Sequence, residues 1–186
     1  KLHGLNASGP APEQLTIDNI KAAGHEKMPV HGLTPITVPG VPAAWAELSR
    51  KFGNLSLREA LEPAIRYAEE GYPLTPILGK YWKLAYKRFK STFTTAEFDA
   101  WFATFAPDGR APEIGEMWKS PGHAKTLRRI GESNAESFYK GELADQIDAF
   151  MQQHGGYLRK SDLESYKPEW VDPVSTNYRG YDVWEI

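Results

Sequence analysis

Cysteine is absent from all 186 residues. Disulfides, thiolate nucleophiles and cysteine-based zinc sites are excluded together. No apolar run approaches the ~20 residues that a membrane helix needs, so no membrane span is expected. Charge of one sign is missing too: 22 Lys and Arg and 24 Asp and Glu residues are spread along the chain, for a formal net charge of −2. Without a basic block to neutralise a phosphate backbone, nucleic acid is not an expected partner. Neither a G-x-S-x-G elbow nor a Walker-type glycine loop occurs. Val38-Pro39-Gly40-Val41-Pro42 superficially resembles a glycine loop entering a helix, but its prolines remove the amides that would cradle a phosphate.

Histidines are few and poorly spaced for metal. His3, His25, His31, His123 and His154 form no H-E-x-x-H pair or similar arrangement. His25 and His31 flank a Gly/Pro-rich stretch that includes Glu26, and this reads as a solvated loop; no metal site and no cofactor are expected. Glu69 and Glu70 are adjacent on a helix and point in different directions, which argues against a shared acid–base site. No signal peptide is visible, and the chain opens on Lys1 rather than methionine. It closes on an alternating, strand-like run, Tyr178 to Ile186, with no turn or cap. Both ends read as cuts through a larger protein, so the compartment stays open between cytoplasmic and exported.

What is present is mostly helix, with clear punctuation. Pro42 precedes Trp45, Leu48 and Phe52 at helical spacing, and Gly53 closes that run. Ser56 and Glu59 form a capping box before Leu57, Leu61, Ile65 and Ala68, with Pro63 predicting a kink or two short helices. Thr75-Pro76 opens an aromatic helix, Thr94 and Glu97 cap another, and Ser120-Pro121 starts a third that runs to Gly131. Ser133 with Glu136 and Ser161 with Glu164 predict two further capping boxes. Between them Leu143, Ile147, Phe150 and Met151 define an amphipathic helix ending at Gly155-Gly156. Strand signals are confined to Leu2–Asn6, Ile36–Val38, Val174–Tyr178 and Tyr181–Ile186. Strands near the two ends around a helical excursion predict an α+β fold whose sheet is only partly contained in this chain.

The aromatic stripe of Tyr81, Trp82, Tyr86, Phe89, Phe93, Phe98, Trp101, Phe102 and Phe105 admits two readings. It is either the core between adjacent helices or a platform for a ligand or partner. Helical spacing favours core, with Trp82, Phe89, Trp101 and Phe105 buried.

A series of segments, in order, resembles the γ-glutamyltransferase family. L-N-A-S-G-P-A-P, from Leu5 to Pro12, is similar to the L-N-G-S-G-R-A-P element of its acylase-like branch. T-V-P-G-V-P-A-A-W follows from Thr37. The run F-G-N-L-S-L-R-E-A-L-E-P-A-I-R-Y-A-E-E-G-Y-P-L-T covers Phe52 to Thr75. G-R-A-P-E-I-G-E begins at Gly109, L-R-R-I-G-E-S-N-A-E-S-F-Y-K-G at Leu127, and G-G-Y-L-R-K-S-D-L-E-S-Y-K-P-E-W at Gly155. P-V-S-T-N-Y-R-G-Y-D-V closes the series at Val183.

The resemblance implies a mainly helical segment of an αββα N-terminal-nucleophile hydrolase sandwich, with residues 1–186 forming part of the large subunit. It implies autocatalytic cleavage of one precursor and a small catalytic subunit as partner. That subunit would open on a threonine whose own α-amine is the base, and an α-amine titrates near neutral pH. No residue here matches that threonine, so no catalytic residue is expected in the chain. The substrate would be a small amide or γ-glutamyl compound, as in glutathione metabolism. Asn6 and Ser8 align with the binding element and are the candidate substrate-binding residues; an Asx- or Ser-stabilised turn is the other reading of the same pair. Members that take γ-glutamyl donors carry an arginine four residues before the proline that aligns with Pro12, where this chain has Ser8. The acylase-like branch carries one two residues before it, where this chain has Pro10. Neither residue can supply a bidentate carboxylate clamp. A second class of function remains beside this one, a helical partner-binding module that uses the aromatic face and has no hydrolase role.

Overall fold

Proline and glycine set the helix boundaries in the computed structural model, which describes residues 1–186. In chain order the elements are β1 (Gly4–Asn6), α1 (Ile17–Ala22), α2 (Val41–Phe52), α3 (Leu57–Glu70), β2 (Tyr72–Pro73) and α4 (Pro76–Thr92). A short 3-10 turn, Ala96–Phe98, leads into α5 (Asp99–Phe105), β3 (Met117–Trp118), α6 (Pro121–Glu132) and α7 (Glu136–Tyr139). Last come α8 (Glu142–Gln153), α9 (Lys160–Ser165), β4 (Glu169–Val171), β5 (Val174–Tyr178) and β6 (Tyr181–Glu185). The chain divides into two units, residues 1–59 with 129–186, and residues 60–128.

Several helix starts are those the sequence predicts. The Ser56 amide donates to Glu59 Oε2 at 2.9 Å while Ser56 Oγ accepts the Glu59 amide at 3.2 Å, a complete reciprocal box. Thr75 Oγ1 accepts from the Leu78 amide, with Pro76 as the first residue of α4. Four expectations need correction: the segment expected to start from a Thr94–Glu97 cap begins as a 3-10 turn from Thr95 with no side-chain cap. Pro63 does not divide α3, which runs as one helix through it; the one backbone bond lost there is offset by Ile65 and Ala68, buried with Ala124 and packed by Leu61 and Leu127. The box at Ser161 and Glu164 is displaced: α9 starts from Arg159, whose amide donates to Asp162 Oδ2 at 2.8 Å. α7 starts from Ala135 with no side-chain cap, and Ser133 Oγ accepts the Ser137 amide at 3.1 Å instead of forming a box with Glu136.

The strands form three separate antiparallel pairs, β1–β4, β2–β3 and β5–β6. The strands expected near the two ends do not share a sheet: Leu5 lies opposite Trp170, while Tyr178 lies opposite Tyr181. The reason is local. Arg179 and Gly180, at φ 53° and 84°, make a turn whose twist suits a two-residue hairpin, so β6 folds back on β5. The ends still meet, because a Cβ added to Gly4 would lie 2.5 Å from Ile186 Cγ2. Ile36–Val38 forms no strand; Pro35 and Pro39 leave too few donors for a ladder.

In the first unit Val38, Leu57, Ile130, Tyr139, Leu143, Ala144, Met151, Leu158 and Leu163 are buried. In the second, Trp82, Phe89, Trp101 and Phe105 are half-buried rather than buried. They pack on one another as a core would: the Phe89 and Trp101 centroids are 5.0 Å apart, those of Trp101 and Phe105 5.3 Å, and Trp82 Nε1 donates to the Phe105 carbonyl at 2.9 Å. Trp118 of β3 and His123 of α6 join the cluster, with ring centroids 5.0 Å from Trp82 and 5.8 Å from Phe105 respectively. Tyr81 stands outside this cluster, 62% exposed.

Candidate functional site

β1 ends at Asn6, and there the chain turns away from β4. The turn is stabilised by the side chain itself, since Asn6 Oδ1 accepts the Ser8 amide at 3.0 Å. Asn6 and Ser8 are thereby brought together in one exposed turn, with the Asn6 carboxamide oxygen already engaged. Ser8 presents its hydroxyl on the surface.

Behind this turn the backbone is locked against residues 38–40. The Val38 amide donates to the Pro10 carbonyl at 3.0 Å. A Cβ on Gly9 would lie 1.6 Å from the Val38 carbonyl oxygen, and one on Gly40 would lie 1.8 Å from that of Ala7. Neither glycine needs a left-handed φ here; each is required by close approach of two backbones. The far end of the loop is held as well, because Pro12 is buried and the Glu13 amide donates to Asp162 Oδ1 at 3.0 Å. Asp162 thus accepts from two backbone amides, its other oxygen serving Arg159, which accounts for its burial.

Residues 38–40 are themselves anchored by Tyr139, at the end of α7. Its hydroxyl donates to the Pro39 carbonyl at 2.6 Å and accepts the Ala43 amide, in the first turn of α2, at 3.2 Å. Its ring lies 5.5 Å from that of Tyr166. Burial pushes the Tyr139 pKa up to about 12, partly countered by the Ala43 amide, so the hydroxyl keeps its proton and remains a donor. The Tyr166 hydroxyl is buried without a hydrogen-bond partner, beside Gly40.

The sequence pointed to Asn6 and Ser8 but not to Gly9, Gly40, Tyr139 or Asp162. Gly9 and Gly40 lie in recognisable motifs, yet nothing local says that Gly9 packs on Val38 and Gly40 on Ala7. Elsewhere, Ser120 Oγ contacts His123 Nδ1, but Ser120 is buried immediately before α6 and the contact joins two side chains three residues apart at the start of that helix. His25 and His31 lie exposed in their loop, and no group of three or more His, Asp and Glu side chains is arranged to hold a metal.

A family model described as Gamma-glutamyltranspeptidase matches residues 1–186. The chain belongs to the gamma-glutamyltranspeptidase family. The glutathione hydrolase-like YwrD proenzyme of Bacillus subtilis is 34% identical over 181 residues, 97% of this chain and 33% of the relative. Among solved structures, a cephalosporin acylase from Bacillus halodurans matches with a TM-score of 0.97 at 62% identity, covering 99% of this chain and 34% of that one. A Helicobacter pylori gamma-glutamyltranspeptidase matches with a TM-score of 0.87 at 28% identity, over 100% of this chain and 53% of that one. The chain therefore spans about a third of the length of the curated relative, and its mixed α+β fold is the corresponding part of the family fold.

Proposed function

We propose that residues 1–186 are part of the large subunit of an amide hydrolase or acyltransferase, one that works through an acyl-enzyme on a threonine outside this chain. The small subunit that carries the threonine would come from the same precursor, and the two together would complete an αββα sandwich. The chain would supply one edge of the substrate pocket, with the Asn6–Ser8 turn facing the substrate. One observation carries the reading. The Leu5–Pro12 element, which resembles the family's binding segment, is an exposed turn on a locked backbone, as a preorganised substrate contact requires.

The substrate class we favour is a simple acyl amide. Ser8 and Pro10 offer no planar fork for the α-carboxylate of a γ-glutamyl donor, and an acylase is among the structures that this chain matches at 62% identity. The test is turnover of acyl and γ-glutamyl anilides by the chain with and without the threonine-headed subunit. Activity only on complementation, with acyl anilides preferred, supports the reading. Enzyme-like turnover by this chain alone overturns it, and no turnover in either arm favours a partner-binding module.

A further inference from the structure

We infer that Tyr139 is a positioning residue that fixes the Asn6–Ser8 turn through the Pro39 carbonyl. This rests on the reading that the turn faces substrate. All the backbone contacts described between residues 7–10 and the opposing turn fall within one residue of Pro39. On one side, Gly40 presses on the Ala7 carbonyl. On the other, Val38 bonds the Pro10 carbonyl through its amide and meets Gly9 through its oxygen. Ala7 and Pro10 bracket Ser8, and no side chain at these contacts could absorb a shift.

The Tyr139 hydroxyl joins Pro39 to Ala43 and so sets how the chain enters α2. Tyr139 is only 6% exposed, and its ring is held beside Tyr166, which leaves the hydroxyl little freedom to move. A movement of the Pro39 carbonyl therefore passes directly to the residues on both sides of Ser8. Tyr139 touches no substrate in this scheme; it acts through the backbone.

The experiment is Tyr139→Phe in the complete two-subunit protein, which keeps the ring and removes both hydrogen bonds. Kinetics on an acyl anilide should show KM raised ~10-fold with kcat changed less than ~2-fold. Amide exchange at Ser8 and Val38 should accelerate. Tyr157→Phe is the control: its hydroxyl reaches the Asn19 carbonyl at 3.4 Å, away from the turn, and both readouts should stay unchanged. In the unaltered protein, Val38 and Ala43 should lose protection together as denaturant is added, a readout that needs no variant to fold. A merely structural Tyr139 would lower the active fraction, and so the apparent kcat, at unchanged KM; that result, or unchanged exchange at Ser8 and Val38, overturns the inference. If the unaltered protein turns over neither anilide, the functional reading fails, while the exchange data still decide whether Tyr139 holds the turn.

Discussion

Under the proposed function, Ser8 concentrates the question of specificity in one side chain. It is exposed, its amide is fixed by Asn6, and its hydroxyl cannot grip a carboxylate in two places. Ser8→Arg would put a planar five-donor fork there. In the assembled enzyme we expect the ratio of γ-glutamyl to acyl anilide turnover to rise by about tenfold, the worth of one charge-assisted pair. An unchanged ratio would place the clamp elsewhere.

Tyr139 gives a second residue-scale prediction. An unfolded tyrosine ionises near pH 10, whereas folded Tyr139 holds its proton to about 12. Its contribution to stability is therefore intact below pH 10 and is lost between pH 10 and 12, where only the unfolded chain sheds the proton. Denaturant midpoints measured across that range should fall less steeply for Tyr139→Phe than for the unaltered protein. Equal slopes would contradict the burial argument. Tyr139 itself is not legible in the sequence: its two partners lie 96 and 100 positions away, and a tyrosine in F-Y-K-G carries no mark of them.

Among the elements, what the sequence reveals depends on range. The Ser56–Glu59 box and the Thr75 cap are legible because donor and acceptor are three residues apart. The β5–β6 strands are legible from alternation, but not their pairing, which a turn decides against a distant partner. β4 was missed altogether; three residues between Pro168 and Pro173 show no periodicity. The turns around Gly9 and Gly40 form a tight joint, and its cost can be measured. Gly40→Ala must push the Ala7 carbonyl away, so we expect a loss of ~1–3 kcal/mol or more in urea unfolding. A neutral outcome would mean that the joint yields. In the aromatic cluster, Trp82→Ala should cost about 2 kcal/mol, below the ~3–5 of a fully enclosed ring, because Trp82 is only half-buried. A loss within the higher range would show the cluster to be covered in solution.

On the scale of the whole molecule, the exposed apolar faces are as informative as the core. Val41, Trp45, Leu48 and Phe52 form one stripe on α2, and all four are exposed. On the β5–β6 hairpin the pairs Thr176–Val183 and Tyr178–Tyr181, with Val174 beside them, share one face that nothing in this chain covers. The chain spans about a third of the length of a relative that it matches, and under the proposed function these faces would meet the threonine-headed subunit. Assembly with the threonine-headed subunit should slow amide exchange throughout β5 and β6, and unaltered exchange would count against their joining a larger sheet.

That hairpin has a consequence for handling and biosynthesis. Its two outer edges carry unpaired backbone groups, Arg179 at the turn is its only positive charge, and neither strand contains proline. Such a ribbon is a template on which further strands can add, including those of identical chains. Separated from its natural neighbours, the polypeptide should disappear from solution at a rate that climbs with concentration, by edge-to-edge association rather than by melting.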